Sequence, residues 1–455
     1  MRTLLVVLAV SAVAWLAYSS ARPVDVRTEA GAAAAGAGVR QADSLLEAWV
    51  GAERIPGAVV LATRRGDVVW QESYGWAQLY DYGTGQYGRG MAGRRSPVPG
   101  DDAPSEGRPE RAGLERLAEP RAMTEGTVFD LASVTKVMAT TMAVMMLVDR
   151  GVLDVDEPVY AYLPDFRGGG KDRITLRHLL THRSGLHQWK PIYYAAAHPD
   201  EAYAYIRDLP LAWDVGEGRH YSDLGFMLLG RVVERATGMR LGAFLQEHLY
   251  GPLGLRAIGF RTGARDAPAR DPAALADGTA TEAVAATSHG NPYEYRMVHD
   301  STFGYLYEGD PSSWTGWRER TLVGEVNDGN AYHAFGGESG HAGLFASAAD
   351  LQVLVQLLLG GGTHAGRRLI DPDVVEMFLS PQMEGQALGW QVPDYAPPGS
   401  FAHAGFTGTF VLGVPARGLA VVLLTNRQNV GLDGEGRLPD LSPLQRDVVA
   451  ALLEG

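Results

Sequence analysis

Runs of apolar residues bounded by turn-forming residues lie near both ends of the chain. Near the N-terminus they are residues 57–62 and 68–72, and near the C-terminus residues 387–392, 408–414 and 418–425. Their length and their content of valine, leucine and aromatic residues are typical of β-strands. Segments with glycine, proline or charged residues join neighbouring runs, which predicts a β-hairpin near each end of the chain.

Much of the remaining chain shows the 3.6-residue period of amphipathic helices. The pattern predicts helices over residues 41–50, 134–150, 173–181, 198–208, 222–237, 240–248, 347–359 and 442–453. Strands near both ends with helices between them predict an α+β fold. We expect one antiparallel sheet built from both chain ends, flanked by helices, with a mainly helical region inserted and the site at the seam.

The first residues have the composition of an export signal. Met1 and Arg2 are followed by a mostly apolar run over residues 3–18 and by small residues at 19–21. The apolar run is shorter than the about 20 residues that a spanning helix needs. We therefore expect residues 1–21 to be a cleaved signal peptide, with an uncleaved N-terminal membrane anchor as the alternative. On either interpretation the protein is exported, to the periplasm or the cell exterior.

The rest of the chain divides by composition. Residues 22–40, rich in glycine and alanine, predict a flexible linker. Residues 41–455 are expected to form one folded body. Within it, residues 77–122 and 261–320 lack clear periodicity, so we expect insertions or long loops there.

Charge and cysteine content narrow the classes of partner. The 455-residue chain has a net charge of −13 and an isoelectric point near 5.4, which argues against nucleic acid and an anionic membrane surface. The absence of cysteine excludes a disulfide framework and a thiolate nucleophile. A small molecule or a peptide remains as the expected ligand, and the composition leaves the oligomeric state open.

Lysine is scarce in this chain, which makes one of its positions informative. Only Lys136, Lys171 and Lys190 occur, and Lys136 lies three residues after Ser133, where a helical pattern begins. A lysine amine can be held neutral and act as a base, which arginine cannot do. A serine in the first turn of a helix has a free backbone N–H beside the positive end of the helix dipole, which favours an oxyanion. The alternative for this pair alone is a capping serine beside a solvated lysine.

Two further patterns follow in the sequence. Tyr221, two residues before Asp223, precedes a helix and can point its hydroxyl into a cleft, where it would shuttle a proton. His403 and Gly405 precede a strand hairpin, and the backbone N–H of Phe406 is a candidate oxyanion donor. Taken singly, these residues are explained as a packed tyrosine, a helix cap and a core histidine. The order Ser-x-x-Lys, Tyr-x-Asp, His-x-Gly favours one shared site.

These motifs resemble those of the serine β-lactamase-related superfamily, on the side of class C β-lactamases, DD-peptidases and esterases, including the penicillin-binding protein 4B type. The resemblance covers about residues 45–455 apart from the two insertions and is supported by the segments 174–186, 337–347 and 423–427. It implies a serine hydrolase that forms an acyl-enzyme. Ser133 would be the nucleophile, Lys136 and Tyr221 the proton-transfer pair, and the N–H groups of Ser133 and Phe406 the oxyanion hole.

Two positions depart from the superfamily's usual pattern. Asp223 stands in place of asparagine, and a carboxylate near Lys136 favours the protonated ammonium. The working base is therefore left open between Lys136 and Tyr221. His403 stands where β-lactamases place lysine and supplies positive charge only in part at neutral pH, so we expect weak β-lactamase turnover at most. Asp223, His403 and Gly405 are expected to contact the substrate or shape the oxyanion site.

Other histidines and aromatic residues carry weaker signals. His341 lies in a glycine-dense loop and is either a structural histidine or part of the site. His178 and His182 are expected to be buried structural groups. An aromatic cluster is expected to serve packing, and its members are Trp189, Tyr193, Tyr194, Tyr203 and Tyr205.

The sequence therefore predicts an exported serine hydrolase acting on a peptide, amide or ester related to the cell wall, in the manner of a DD-carboxypeptidase or D-peptidase. A carboxylesterase and a weak class C-type β-lactamase are alternatives within that class. A non-catalytic envelope protein that binds peptidoglycan is the alternative of another class. No cofactor and no metal is implied, since the sequence has no His-Glu-x-x-His or comparable cluster.

Overall fold

The computed structural model describes residues 36–83, 86–87, 113–262, 283–303 and 307–454. Its strands are β1 (Gly57–Arg64), β2 (Asp67–Tyr82), β3 (Leu114–Ala122), β4 (Phe129–Asp130), β5 (Gly259–Phe260), β6 (Ala286–His289), β7 (Thr321–Val323), β8 (Leu344–Ala346), β9 (Thr363–His364), β10 (Arg367–Arg368), β11 (Phe401–Ala404), β12 (Thr409–Val414) and β13 (Leu419–Thr425). Its helices are α1 (Ala37–Gly51), α2 (Met142–Asp149), α3 (Leu176–Leu180), α4 (Pro199–Asp208), α5 (Asp223–Thr237), α6 (Leu241–Leu245), α7 (Pro292–His299), α8 (Gly329–His333), α9 (Ala348–Leu359), α10 (Pro372–Leu379) and α11 (Ser442–Glu454).

One antiparallel sheet joins the two ends of the domain. Its strand order is β11-β12-β13-β1-β2-β3. The central strands β1 and β13 place Ala58 opposite Thr425 and Arg64 opposite Leu419. The hairpins β1–β2 and β12–β13 are the two predicted from the apolar runs. The α+β architecture expected from the sequence is confirmed.

The two central strands are buried on both faces. Val60 and Leu423 pack in a core with α1 and α11, whereas their neighbours Val59 and Leu424 belong to the larger core that contains α2, α5 and α9. Burying each such side chain contributes about 1.5–3 kcal/mol. A slip of one residue would exchange the two cores, so this two-sided burial fixes the strand register.

A buried helical segment, residues 132–149, runs through the larger core. It begins as a 3-10 turn at Ala132–Val134, widens into a π-helical turn at Lys136–Thr141 and ends as α2. Among the described residues it is the one helix long and apolar enough to cross a membrane, yet 83% of it is buried inside the protein, as expected of a core helix. Such π-helical turns often occur at functional sites, and this one contains Lys136.

The structure revises the predicted segments. The first helix begins at Ala37, so the last residues of the predicted linker 22–40 are helical, while residues 1–21 lie outside the described part of the chain. The expected insertion 77–122 contains the end of β2 and all of β3, whose pairing shifts register near Gln78. Bulges of this kind break the two-residue alternation, and the sequence pattern therefore missed these strands. The stretch 261–320 likewise contains β6 and α7.

The predicted strand at residues 387–392 is wrong. The N–H of Ala387 donates to the carbonyl of Trp390 at 2.8 Å, and Gly389 has a φ of 82°. The segment is a turn whose apolar side chains, including Trp390, are buried. Its hydrophobicity reflects burial in the core, which periodicity over so short a run does not distinguish from a strand.

Candidate active site

Ser133 lies on a strained turn that follows β4. The preceding residue, Ala132, has a φ of 44°, and its N–H donates to the carboxylate of Asp130 at 2.9 Å. Asp130 is buried and also accepts from the N–H of Asn327 at 2.6 Å. Burial raises the pKa of Asp130 to about 6. The buried carboxylate holds the left-handed backbone in place and so presents Ser133 at the start of the helical segment.

Lys136 contacts three oxygen atoms from its buried position. Its Nζ lies 3.0 Å from Ser133 Oγ, 3.1 Å from the carbonyl oxygen of His341 and 2.7 Å from Asp223 Oδ1. The side chain is fully buried. Burial alone would lower the pKa of Lys136, but Asp223 and Tyr221 outweigh it and raise that pKa above its ordinary value. Lys136 is therefore an ammonium at neutral pH.

The second motif, Tyr221-Ser222-Asp223, contacts Lys136 from the start of α5. Ser222 caps this helix by accepting from the N–H of Gly225 at 3.2 Å, and its hydroxyl donates to the carbonyl of His187 at 2.7 Å. These bonds place Asp223 in the first turn, against Lys136. The ring centre of Tyr221 lies 5.0 Å from Lys136 Nζ. Asp223 thus lies against Lys136, as the sequence led us to expect, and it also lines the cavity in front of Ser133.

Two histidines support the loops around this motif. His182 is buried, its Nδ1 accepts from the N–H of Ser222 at 3.0 Å, and its ring packs 4.4 Å from that of Tyr221. Burial and the charge of Lys136 lower the pKa of His182, which keeps the ring neutral. His178 closes a capping box with Thr175 at the start of α3. His182 therefore positions Tyr221, a role that its sequence position did not reveal.

The residues that follow the third motif, His403-Ala404-Gly405, are hydrogen-bonded to the backbone just before Ser133. Thr407 Oγ1 donates to the carbonyl of Asp130 at 2.6 Å, and Thr409 Oγ1 donates to that of Leu131 at 2.9 Å. A Cβ on Gly405 would overlap both Thr409 Oγ1 and the Leu131 carbonyl oxygen, so this close approach requires glycine.

Phe406 is held by Arg427. The carbonyl oxygen of Phe406 accepts from Arg427 Nε at 2.9 Å and from Nη2 at 2.7 Å. Within the part of the chain that the structure describes, the backbone N–H groups of Ser133 and Phe406 have no hydrogen-bond acceptor. Both residues line the same cavity. The arrangement leaves two N–H donors for an oxygen of a bound molecule.

His403 corrects an expectation. It was expected to contact substrate and to carry part of a positive charge, but it is 1% exposed and is absent from the cavity lining among the described residues. Its Nδ1 bonds the carbonyl of Ala404 at 2.9 Å, and its ring lies 6.3 Å from that of Tyr221. Burial and the charge of Lys136 lower the pKa of His403 to about 3. Because strand side chains alternate in direction, Ala404 lines the cavity while His403 lies behind its wall.

The cavity in front of Ser133 has a volume of about 450 Å³ and is lined by more acidic than basic side chains. Its lining includes the acidic side chains of Asp223, Glu294, Asp328 and Asp440 and one arginine, Arg427. Burial raises the pKa of Glu294 to about 8, so this carboxyl group is protonated at neutral pH. Of the predicted aromatic cluster, Trp189 lines this cavity. The others pack elsewhere, as in the contacts of Tyr193 with Trp314 and of Tyr203 with Phe335.

The structure answers the question about His341. The residue is buried and lines the cavity, its Nε2 bonds Asp328 Oδ1 at 2.9 Å, and its Nδ1 bonds Ser339 Oγ at 2.9 Å. The carbonyl oxygen of His341 is one of the three oxygen atoms described above around Lys136 Nζ. Sequence reasoning missed Asp328, and no local pattern marks it. Arg427 stood in a supporting segment but had no role assigned.

Within the described part of the chain, Asp223, Asp328 and His341 form the group that could hold a metal ion, because their ligand atoms lie within 4.8 Å of one another. The ammonium of Lys136 already lies 2.7 Å from Asp223, and His341 already bonds Asp328. A divalent cation would have to displace the lysine and break that bond. The cluster is therefore better suited to holding Lys136 than to coordinating a metal.

Comparison with known proteins gives consistent results. The beta-lactamase family profile matches residues 42–440. The chain is 30% identical over 417 residues to an N-acetylmuramyl-L-alanine amidase of Bacillus subtilis (strain 168), covering 86% of this chain and 81% of the relative. It is 28% identical over 436 residues, 90% of this chain and 87% of the relative, to an Escherichia coli (strain K12) protein with the provisional name D-alanyl-D-alanine carboxypeptidase.

The solved structures agree at the level of the fold. A penicillin-binding protein homologue from Caulobacter crescentus superposes with a TM-score of 0.60 at 20% identity, over 92% of this chain and 98% of that one. The resemblance seen in the sequence motifs is confirmed by the family match over most of the chain. The protein is a member of the beta-lactamase family and a serine hydrolase of that fold.

Proposed function

We propose that the protein hydrolyses an amide or ester bond through an acyl-enzyme formed on Ser133. The observation that carries this proposal is the 3.0 Å contact between Ser133 Oγ and Lys136 Nζ at the start of a helix. A serine with a proton-transfer group in contact and N–H donors nearby is the arrangement needed for nucleophilic catalysis.

The proposed reaction proceeds in two halves. Ser133 Oγ attacks the carbonyl carbon, and the N–H groups of Ser133 and Phe406 stabilise the oxyanion. Tyr221, beside Lys136, passes a proton to the departing group, and an acyl group remains on Ser133. A water molecule then attacks the carbonyl carbon of this ester, and Ser133 Oγ is the leaving group. The proton transfers of the first half run in the opposite direction. Removing one oxyanion donor typically costs about 10²–10³ in kcat.

The charged groups of the cavity limit the class of substrate that it can bind. A free carboxylate beside the scissile bond, as in a DD-carboxypeptidase substrate or a β-lactam, calls for a cation. The neutral His403 is buried instead, and the carboxylates Asp223 and Asp328 line the cavity. We therefore propose an amide without an adjacent carboxylate, such as the bond named in the B. subtilis relative, within a fragment of the cell wall. Because the buried His403 supplies no positive charge, we propose that β-lactams are turned over only weakly.

A DD-carboxypeptidase activity is the second candidate, because Arg427 lines the cavity. Its Nη1 donates to the carbonyl of Pro439 at 2.8 Å, and its Nε and Nη2 are held by Phe406. An arginine with three of its donors committed to the backbone has two N–H groups left for a carboxylate.

Export and anchoring remain part of the proposal. The signal-like residues 1–21 support a periplasmic or extracellular location, with an uncleaved anchor as the alternative. A role in binding peptidoglycan without catalysis is disfavoured, because Ser133 and Tyr221 line one cavity and Lys136 lies against both.

The test is a matched pair of substrates. N-acetylmuramyl-L-alanyl-D-isoglutamine offers an internal amide, and a peptide ending in D-alanyl-D-alanine offers a bond beside a free carboxylate. We expect cleavage of the first, slower cleavage of the second, and neither with Ser133→Ala. Preferential release of the terminal D-alanine would establish the second candidate. Binding of both without cleavage would support the non-catalytic alternative.

A further inference from the structure

Lys136 is an ammonium and cannot accept another proton. An ammonium has three N–H donors. The Nζ of Lys136 donates to the carbonyl oxygen of His341 and to Ser133 Oγ, forms an ion pair with Asp223 Oδ1 and interacts with Tyr221. The side chain is fully buried, so bulk water does not take a proton from it. In this state the lysine donates to Ser133 and cannot also be its base. The serine proton therefore needs another acceptor.

We infer that Asp223 receives this proton through Lys136 when Ser133 attacks, so that Ser133, Lys136 and Asp223 form a proton relay. This inference rests on the proposed acyl-enzyme chemistry. The carboxylate makes the shortest of the three contacts with Nζ, 2.7 Å. Its place is fixed by the capped start of α5 and by the bond from its own N–H to the carbonyl of Gln188 at 2.9 Å. Asparagine, the usual residue at this position, has no basic oxygen.

The proton and electron movements balance. The proton of Ser133 moves to Lys136 Nζ while a different Nζ proton moves to Asp223 Oδ1. Oγ forms its bond to the carbonyl carbon, and the π pair of the carbonyl moves to its oxygen. Lys136 remains an ammonium beside the oxyanion, and Asp223 becomes neutral. On collapse, the proton returns from Asp223 by way of Lys136 and Tyr221 to the leaving nitrogen as its bond to carbon breaks.

The other titratable groups that face Lys136 are poorer acceptors. The ring nitrogens of His341 are occupied by Ser339 and Asp328, so only its carbonyl reaches the lysine. His182 and His403 are buried with lowered pKa values. Asp328 interacts with Lys136 through space, but its Oδ1 is bonded to His341. The Tyr221 side chain also hydrogen-bonds Lys136, and in this mechanism it serves the leaving group.

The test measures how fast a fluorophosphonate labels Ser133, followed by intact mass and peptide mapping. Fluoride needs little help to leave, so the rate reports on activation of the serine. The rates are compared for wild type, Asp223→Asn and Asp223→Glu between about pH 5 and pH 9. In Asp223→Asn, Lys136 must lose a proton before each attack. We expect its rate at about pH 6 to fall at least about tenfold and to rise towards alkaline pH.

Asp223→Glu separates the relay from a structural role. A glutamate retains the carboxylate, so its profile should keep the wild-type shape even at a reduced rate. An Asp223→Asn protein that is labelled at the wild-type rate or faster at about pH 6 overturns the relay. If Asp223→Asn does not fold, an alkaline shift in Asp223→Glu overturns it. Wild type that is not labelled on Ser133 at any pH overturns the proposed function, which is a different result.

Discussion

Lys136 and Asp223 form a buried ion pair, with Nζ 2.7 Å from Oδ1, directly behind the proposed nucleophile. The lysine is fully buried, whereas the side chain of Asp223 is 19% exposed. Without its partner the ammonium would be an uncompensated buried charge, which is strongly unfavourable. The aspartate that departs from the usual pattern therefore determines the protonation state of the lysine that the pattern shares.

The ionisation of Lys136 can be observed directly, because the chain has only three lysines. In wild type labelled with ¹⁵N-lysine, we expect the Nζ signal of Lys136 to remain that of an ammonium through neutral pH. In Asp223→Asn, burial is no longer opposed by the carboxylate, so the pKa should fall. Lys171→Arg and Lys190→Arg assign the other two signals. A neutral Lys136 in wild type at pH 7 would contradict the structure's charge assignment.

His403 should make stability depend on pH. The unfolded chain binds a proton at this histidine below about pH 6.5, whereas the folded protein does not do so until about pH 3. Stability is therefore lost as the pH falls through this window, by at most about 1.4 kcal/mol per pH unit for one such group. We expect the free energy of unfolding of wild type minus that of His403→Asn to decrease from pH 6.5 towards pH 3. A difference that is independent of pH would show that His403 is not buried in neutral form.

Gly405→Ala should damage both stability and activity. The new Cβ would overlap Thr409 Oγ1 and the Leu131 carbonyl, and the backbone must shift next to Ser133. Overpacking of this kind costs about 1–3 kcal/mol, and we expect kcat to fall at least about tenfold because the N–H donors move. Gly126→Ala is the matched control, since its Cβ would meet no atom within 4 Å. Thermal denaturation and kinetics of both variants decide this; a fully active Gly405→Ala would refute the close approach.

Arg427→Lys separates positioning from substrate anchoring. Lysine cannot reproduce the two bonds from the guanidinium to the Phe406 carbonyl. If Arg427 positions the oxyanion donor, kcat should fall about 10–100-fold for substrates with and without a terminal carboxylate. If it anchors a carboxylate, KM should rise for that substrate alone. The kcat and KM values for the two substrates give the answer, and we expect the first result.

The sequence predicted the sheet and most helices because apolar residues recur along these elements with the spacing of a strand or a helix. It located Ser133, Lys136, Tyr221, Gly405 and Phe406 at their element boundaries. In the structure Lys136 contacts Ser133 and Tyr221 from a buried position, and the other four residues line one cavity. The roles of these residues stay predictions. Strand β3 was missed because bulges break its alternation with β2. The turn at 387–392 was misread because its side chains are buried without a strand.

The sequence could not show in which direction a side chain points or which residues distant in the chain form hydrogen bonds. His403 follows the motif, but only the alternation of β11 shows that its side chain lies behind the cavity wall. Asp328 reaches the site through a hydrogen bond with His341, 13 residues away. Arg427 acts on Phe406 across 21 residues. Contacts of this kind depend on tertiary packing, which no local pattern encodes.

The most direct test of the account is to trap the acyl-enzyme. An activated ester, or the preferred amide at low pH, is mixed with the protein, and the quenched reaction is examined by intact mass and peptide mapping. We expect one acyl group per chain, on Ser133, and none with Ser133→Ala, whose hydrolysis should fall at least about 10³-fold. Ser347→Ala, which removes a helix cap outside the cavity lining, should be acylated normally. Turnover with no adduct on Ser133, or with the acyl group on another residue, would contradict the central claim.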